Sequence, residues 1–347
     1  MAISMIGIDT AKSVFQLHAV DEGGNVVFRR KIQRKDLISF FEKQEPTTVV
    51  MEACGAAHHW GRTLTGLGHD VKLIAPEAVK PFVKKGKKND AVDAAAICTA
   101  ARQADVKFVP IKTVEQQSIL ALHTARALLV KQKTMLANAL RGVATEFGLI
   151  VPKGIDKVED LAEQVEADES LPGELRQANR ELKGQFKELT IHIELLEAKI
   201  VHHARNDAGA RQLATIPGVG PIVASLIVAT VTDFSEFKSA RHFAAWLGLV
   251  PRQYSTAGKT RLGRITKAGN AEIRRLLVLG ATSMIRYAGQ WNSAAGEWFR
   301  NILESKAARL ATVALANKMA RIVWALMTRN EVYRPAGRGT TAAKAAV

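Results

Sequence analysis

With 347 residues, 47% of them apolar, the chain is long and hydrophobic enough for one large or two folded domains, which excludes a disordered polypeptide. Lys and Arg number 49 against 33 acidic residues, and the resulting formal charge of +16 points to a polyanionic partner, nucleic acid above all. Two cysteines, Cys54 and Cys98, cannot build a disulfide framework or a cysteine zinc site; no apolar run reaches the roughly 18 residues of a membrane span, residues 222–231 coming nearest, and Asp9 spoils any secretory leader, so a cytoplasmic protein is expected.

In chain order, residues 4–9, 14–20 and 26–32 alternate or run apolar around a turn at 21–25 and predict three strands in hairpin succession. A helix follows at 36–41, a fourth strand at 47–52, a helix at 56–67 stopped by Gly68, and a fifth strand at 71–74. A further helix begins at Asp90. The order β, β, β, α, β, α, β, α is that of an α/β domain with helices on the faces of a sheet.

Four acidic residues stand at ends of these elements. Asp9 closes the first apolar strand, where it either caps the turn 10–12 or ligates a metal. Glu52 ends a β-branched run, the only acidic side chain between Glu45 and Asp70. Asp90 and Asp93 are one turn apart at a helix N-terminus, preceded by Lys84, Lys85, Lys87 and Lys88. If the four carboxylates converge, their mutual repulsion requires a compensating divalent cation; all-oxygen ligands suit Mg2+ or Mn2+, and the lysines suit a phosphate backbone. The alternative is a solvated basic loop leading into a capped helix.

Pro110 separates this region from a long helix at 114–147, with Leu122, Leu129, Leu136 and Val143 spaced at sevens. An acidic stretch at 156–169 lies between Pro152 and Pro172. A second long helix follows, with Leu182, Phe186, Leu189, Ile193, Leu196 and Ile200 alternating four and three apart. The pattern predicts a coiled-coil arm, paired either within one chain or between two. His202 and His203, near its end, read as surface residues.

Pro217, Gly218, Val219 and Gly220 join two apolar helical stretches, either as a helix-hairpin-helix whose backbone amides meet a phosphate or as a tight turn. An apolar helix at 243–249 precedes residues 251–270, a stretch read as a glycine-rich surface loop with Arg252, Lys259, Arg261, Arg264 and Lys267 placed to contact phosphates. Ser255 in that loop either caps a turn or meets a phosphodiester as a nucleophile. Helices are expected at 271–286 and 307–327, and from Pro335 a disordered basic tail.

These residues together resemble a known family, the DEDD-type transposases of the insertion-sequence 110 family, nearer its 1111 subgroup. Asp9, Glu52, Asp90 and Asp93 match its acidic tetrad, Gly248 to Pro251 its Gly-Leu-Val-Pro motif, and Lys267 to Asn270 its Lys-x-Gly-Asn motif. The resemblance implies a ribonuclease-H-like domain similar to a Holliday-junction resolvase (1–112), a coiled-coil arm (113–208), an all-α C-terminal transposase domain containing the helix-hairpin-helix (209–330), and the tail (331–347). It further implies cutting and rejoining of double-stranded donor and target DNA, with Mg2+ or Mn2+ on the tetrad and a serine forming a transient protein–DNA link. A bridge RNA would choose the sites, and homodimers would meet as a tetramer at the synapse. Where the family has a Ser/Thr pair followed by two glycines, this chain has Ser255, Thr256, Ala257 and Gly258, so that Ser255 or Thr256 takes the nucleophile's place, Ser255 by chemistry. A junction-resolving nuclease with water as nucleophile and a non-enzymatic nucleic-acid scaffold are the competing readings. A denaturant-stable adduct on DNA separates the first from the recombinase.

Overall fold

The computed structural model describes residues 2–83, 90–256, 259–285 and 294–334; the lysines Lys84, Lys85, Lys87 and Lys88 lie outside them. The chain divides into two compact units, Met1–Val114 and Glu115–Val347.

The first unit is built on β1 (Met5–Thr10), β2 (Val14–Val20), β3 (Val26–Gln33), β4 (Thr48–Glu52) and β5 (Asp70–Ile74). A short strand that the sequence reading lacked, β6 (Phe108–Val109), pairs antiparallel with the end of β5. The sheet order is β3-β2-β1-β4-β5-β6, with β4 parallel to both β1 and β5. Helices α1 (Leu37–Phe41), α2 (Ala57–Gly66), α3 (Pro76–Val79) and α4 (Asp90–Ala101) flank it.

Period-two alternation sends the strand side chains into two cores. Ile6, Ile8, Val49 and Met51 pack with Leu37 and Phe41 of α1 and with Trp60 and Leu64 of α2. Val50 and Ile74 point the other way, into Val79 of α3 and Ala96, Ile97 and Ala100 of α4. The mixed sheet with flanking helices is consistent with a ribonuclease-H-like fold.

The second unit opens with α5 (Val114–Thr145), α6 (Lys157–Ala167) and α7 (Gly173–Asn206). Within the chain, α5 and α7 are joined by Arg126 donating to Glu197 at 2.8 Å and by a cluster of Ala137, Leu140, Val158 and Phe186. The expected stripe on α7 is the buried one at Phe186, Ile193 and Ile200. On α5 the stripe is displaced. Leu122, Leu129 and Leu136 are half-buried and Val143 exposed, while His123, Ala137, Leu140 and Ala144 face inward.

Next come α8 (Ala208–Leu213), α9 (Pro221–Thr230), α10 (Ala240–Trp246), α11 (Ala271–Ile285), α12 (Ala294–Ser305) and α13 (Ala308–Arg329). The unit is helical but not all-α. Residues 251–270, read as a loop, contain the antiparallel hairpin β7 (Pro251–Thr256) and β8 (Lys259–Ile265). Both strands are largely exposed, so the apolar alternation that normally betrays a strand is missing.

Among the described residues, helix α13, rather than residues 222–231, is the one long and apolar enough to cross a membrane by length and composition alone. Its buried Ala311, Leu315, Ala316, Met319, Ala320 and Val323 instead form the centre of the unit's core with α9, α10 and α11. Beyond it, Gln212 donates to the Glu331 carbonyl and Thr215 Oγ1 accepts from the Tyr333 amide, so the start of the expected tail is tied to the end of α8.

Candidate active site

The register of β1 and β4 brings the first two carboxylates side by side. Ile8 is opposite Met51 across the parallel pair, so Asp9 and Glu52 occupy the next positions on neighbouring strands. Ile8 and Met51 face α2, which turns Asp9 and Glu52 to the opposite face, the one α4 covers. Helix α4 approaches β1 closely at Gly7, where a Cβ would lie 2.7 Å from the Ala94 carbonyl oxygen. Asp93, the neighbour of Ala94 in the first turn of α4, is thereby carried to the same edge of the sheet.

The electrostatics of this edge are unfavourable without a counter-charge. Burial first, then the negative charges of Asp93 and Glu77, raises the Glu52 carboxyl above the ordinary carboxylate range. Asp93 Oδ1 is buried without a hydrogen-bond partner. Glu77, in the first turn of α3, did not stand out in the sequence; its position just past the end of β5, next to β4, is the signal that would have found it.

An all-oxygen donor set with an orphaned buried carboxylate oxygen fits a hard divalent cation in kind. Among the described residues, no three His, Cys, Asp or Glu side chains come close enough to hold one as they stand. Asp90 opens α4, but its side chain is not described.

Ser255 lies in the other unit, exposed on β7, opposite Thr260 of β8. Its Oγ accepts a hydrogen bond from Gln253 Nε2 at 2.8 Å, which orients the oxygen and leaves the hydroxyl proton free to be donated. Arg252, Arg261 and Arg264 are exposed on the same hairpin, and Lys267 is exposed just beyond it; the side chains of Thr256 and Lys259 are not described.

The hairpin's root is built by the two short motifs. Gly248 and Gly269 both have positive φ, at 70° and 61°; Gly248 packs against the backbone of Lys267 and Ala268, and Gly269 against that of Trp246 and Leu247 at the end of α10. The Lys267 amide donates to the Gly248 carbonyl at 3.1 Å, Arg274 donates to the Leu247 carbonyl at 2.8 Å, and Asn270 Oδ1 caps α11 by accepting from the Glu272 and Ile273 amides.

At the α8–α9 turn, Gly218 is half-buried, with φ 83° and its carbonyl packed on Gly280 of α11, while Gly220 is exposed before Pro221 opens α9. Packing against Gly280 thus accounts for Gly218.

One buried cluster was not anticipated. Ser225 Oγ is 3.0 Å from His123 Nε2 and 3.1 Å from His203 Nδ1, linking α9 to α5 and α7. His203 is therefore a half-buried partner of Ser225 and not a free surface residue. Burial above all, with Arg126 and His203 adding to it and Glu272 opposing, holds His123 at about 4.

Comparison with known proteins agrees with this architecture. Residues 6–148 match a family model described as "Transposase", and residues 210–295 match the "Transposase IS116/IS110/IS902 family". The chain is 49% identical over 336 residues to a "Putative transposase y4pF/y4sB" of Sinorhizobium fredii, covering 96% of this chain and 86% of that one. It is 46% identical to a "Probable family 20 transposase" of Pseudomonas aeruginosa, covering 96% and 100%. Similarity to the "Transposase for insertion sequence element IS1111A" of Coxiella burnetii is 40%, covering 96% and 92%.

Proposed function

Because this chain belongs to the IS116/IS110/IS902 family of transposases, and so acts in the recombination of DNA, we propose that it cuts and rejoins DNA with a serine nucleophile and a carboxylate-held divalent cation. The reading is supported chiefly by the shared face of Asp9, Glu52 and Asp93 at one edge of the sheet.

Asp9, Glu52, Asp93 and Asp90 would hold Mg2+ or Mn2+. When bound, the cation would offset the charge that develops on the phosphate during transfer.

Ser255 Oγ gives up its proton and attacks phosphorus; the Oγ–P bond forms, the bond from phosphorus to the leaving deoxyribose oxygen breaks, and that oxygen takes up a proton, so the net transfer is one proton from Oγ to the leaving oxygen. Gln253 orients Oγ for this attack. The serine phosphodiester retains the energy of the broken bond, so a second DNA end can reverse the step without ATP. Arg252, Lys259, Arg261, Arg264 and Lys267 hold backbone phosphates beside the hairpin, Lys84, Lys85, Lys87 and Lys88 do so ahead of α4, and the turn at Gly218 and Gly220 adds a backbone contact as a helix-hairpin-helix.

Bridge RNA selects donor and target sites in this reading, and dimers assemble to a tetramer in the bacterial cytoplasm. Leu128, Met135, Ile191 and Leu195 are exposed on α5 and α7 and supply an apolar face for pairing of the arms between chains.

The test is a denaturing gel of purified protein incubated with donor and target DNA, Mg2+ and RNA transcribed from the element's flanks. A covalent protein–DNA band is expected for the parent chain and not for Ser255→Ala. Cleavage without any such band would replace the serine mechanism with hydrolysis by water. Recombination that proceeds equally without RNA would remove the guide from the reading.

A further inference from the structure

A cleft of about 1160 Å³ lies in the second unit between the root of the hairpin and one face of α13. Pro251, Gly263, Arg264 and Ile265 of the hairpin form one wall, Ser239, Ala240 and Arg241 border it at the start of α10, and residues of α13 from the exposed Leu310 through the half-buried Asn317, Lys318 and Arg321 to the exposed Arg329 form its floor.

Its chemistry is one-sided. Arg241, Arg264, Lys318, Arg321 and Arg329 line it, and no carboxylate does among the described residues. Two tryptophans accompany them. Lys318 Nζ sits 3.9 Å from the centroid of the Trp298 ring, and Trp324 Nε1 donates to the Phe234 carbonyl at 3.2 Å, which fixes the plane of its indole. Burial first, then the neighbouring Arg321, pushes Lys318 down from its ordinary value, a shift that an entering anion would oppose.

Cations alone would suit any polyanion. Preoriented indoles beside them call for a ligand that carries a flat π-face next to each negative charge, and a nucleotide strand is such a ligand. A duplex buries its base faces in its own stack, and an acidic peptide has none to offer.

We propose that this cleft binds a single-stranded nucleic-acid segment, with a base stacked on Trp298 and its phosphates on the arginines. The inference rests on the recombinase reading and deepens it: the cleft adjoins the root of the hairpin that bears Ser255, so a strand held there is unpaired next to the phosphodiester to be cut. The volume lies just above the range of small-ligand sites, roughly 300–1000 Å³, and holds a short unpaired run rather than a helix.

Anisotropy of a labelled oligothymidine, an oligouridine of equal length and a DNA duplex tests this on the full chain. Trp298→Ala should weaken oligothymidine or oligouridine about tenfold and leave the duplex unchanged. Arg241→Ala with Arg329→Ala, both at exposed positions, should weaken the single strands and flatten their salt dependence, and serves as the readout if circular dichroism shows that Trp298→Ala has not folded. Tighter oligothymidine assigns the cleft to an unpaired DNA strand, and tighter oligouridine to the guide.

The proposal is overturned if folded Trp298→Ala binds single strands like the parent, if duplex binding falls in parallel, or if poly-glutamate competes as well as oligothymidine. None of these readouts needs cleavage. Failure of the cleft leaves the covalent band intact, whereas failure of the serine mechanism leaves the anisotropy intact.

Discussion

Gly7 and Cys98 touch where β1 passes beneath α4: a Cβ on residue 7 would lie 2.6 Å from Cys98 Sγ. Cys98 is itself held by donating to the His18 carbonyl at 3.3 Å, and burial raises its thiol to about 11, so it serves as packing and not as a reactive group. Gly7→Ala should push α4 away from the sheet and carry Asp93 with it. Overpacking of this kind costs about 1–3 kcal/mol. Urea unfolding should show a loss of that size, and DNA cleavage should fall further than the loss of folded protein explains. Full activity in a folded Gly7→Ala would show that α4's distance from β1 does not matter to the site.

Glu52 supplies a pH signature. Its folded pKa is raised above the unfolded 4.5, so the folded state binds the proton more tightly. Its contribution to stability is fully present below pH 4.5 and is lost as pH rises through the folded value. At neutral pH the ionised carboxylate is therefore a burden that Glu52→Gln removes. The variant should melt higher than the parent at pH 7 without divalent cation, match it below pH 4.5, and lose cleavage. Mg2+ should raise the melting temperature of the parent more than that of Glu52→Gln. Equal responses to Mg2+ would take Glu52 out of the cation site.

The Ser225 hydroxyl has one proton for two imidazoles, so one ring accepts while the other donates. His123 falls from 6.5 unfolded to about 4 folded, which favours the neutral folded form above pH 6.5 and withdraws that stability as pH falls toward 4. The full shift corresponds to on the order of 3 kcal/mol. Acid titration of the melting temperature should show this loss, and His123→Gln should flatten it. Ser225→Ala, which strips both rings of a partner, should cost roughly 1–3 kcal/mol at pH 7.

At the hairpin root, a Cβ on Gly269 would lie 1.9 Å from the Trp246 carbonyl oxygen, at a φ of 61° that side chains rarely adopt. Gly269→Ala should destabilise the second unit by about 2–4 kcal/mol through strain and overpacking. Asn270→Ala, which removes only the cap on α11, should cost nearer 1 kcal/mol. If Ser255 depends on this root for its position, the covalent band should weaken in both variants, more in the first. A Gly269→Ala protein as stable as the parent would refute the packing argument.

Much of the first unit was legible because its strands alternate or run apolar and its turns carry glycine. The successive strands at 4–9, 14–20, 26–32, 47–52 and 71–74 correspond to β1 through β5 within a residue or so. Acidic side chains at the ends of apolar strands were conspicuous for the same reason, since burial there has a cost that packing does not repay. The second unit was harder to read. A hairpin exposed on both faces leaves no apolar period, α12 borders residues of no clear pattern, and the buried face of α5, at His123, Ala137, Leu140 and Ala144, is one that a leucine repeat outshines.

The sequence by itself determined the order of elements, the surplus of positive charge, the family, and which residues carry unusual chemistry for their place in the chain. Tertiary structure decided which of them lie near one another: Asp9 and Glu52 on neighbouring strands through strand register, Asp93 at the same edge through the glycine under α4, His123 and His203 through one serine, and the basic cleft through residues far apart in the chain. Local pattern records the preferences of short segments, whereas a site depends on distances between segments, and those are fixed only when the segments pack.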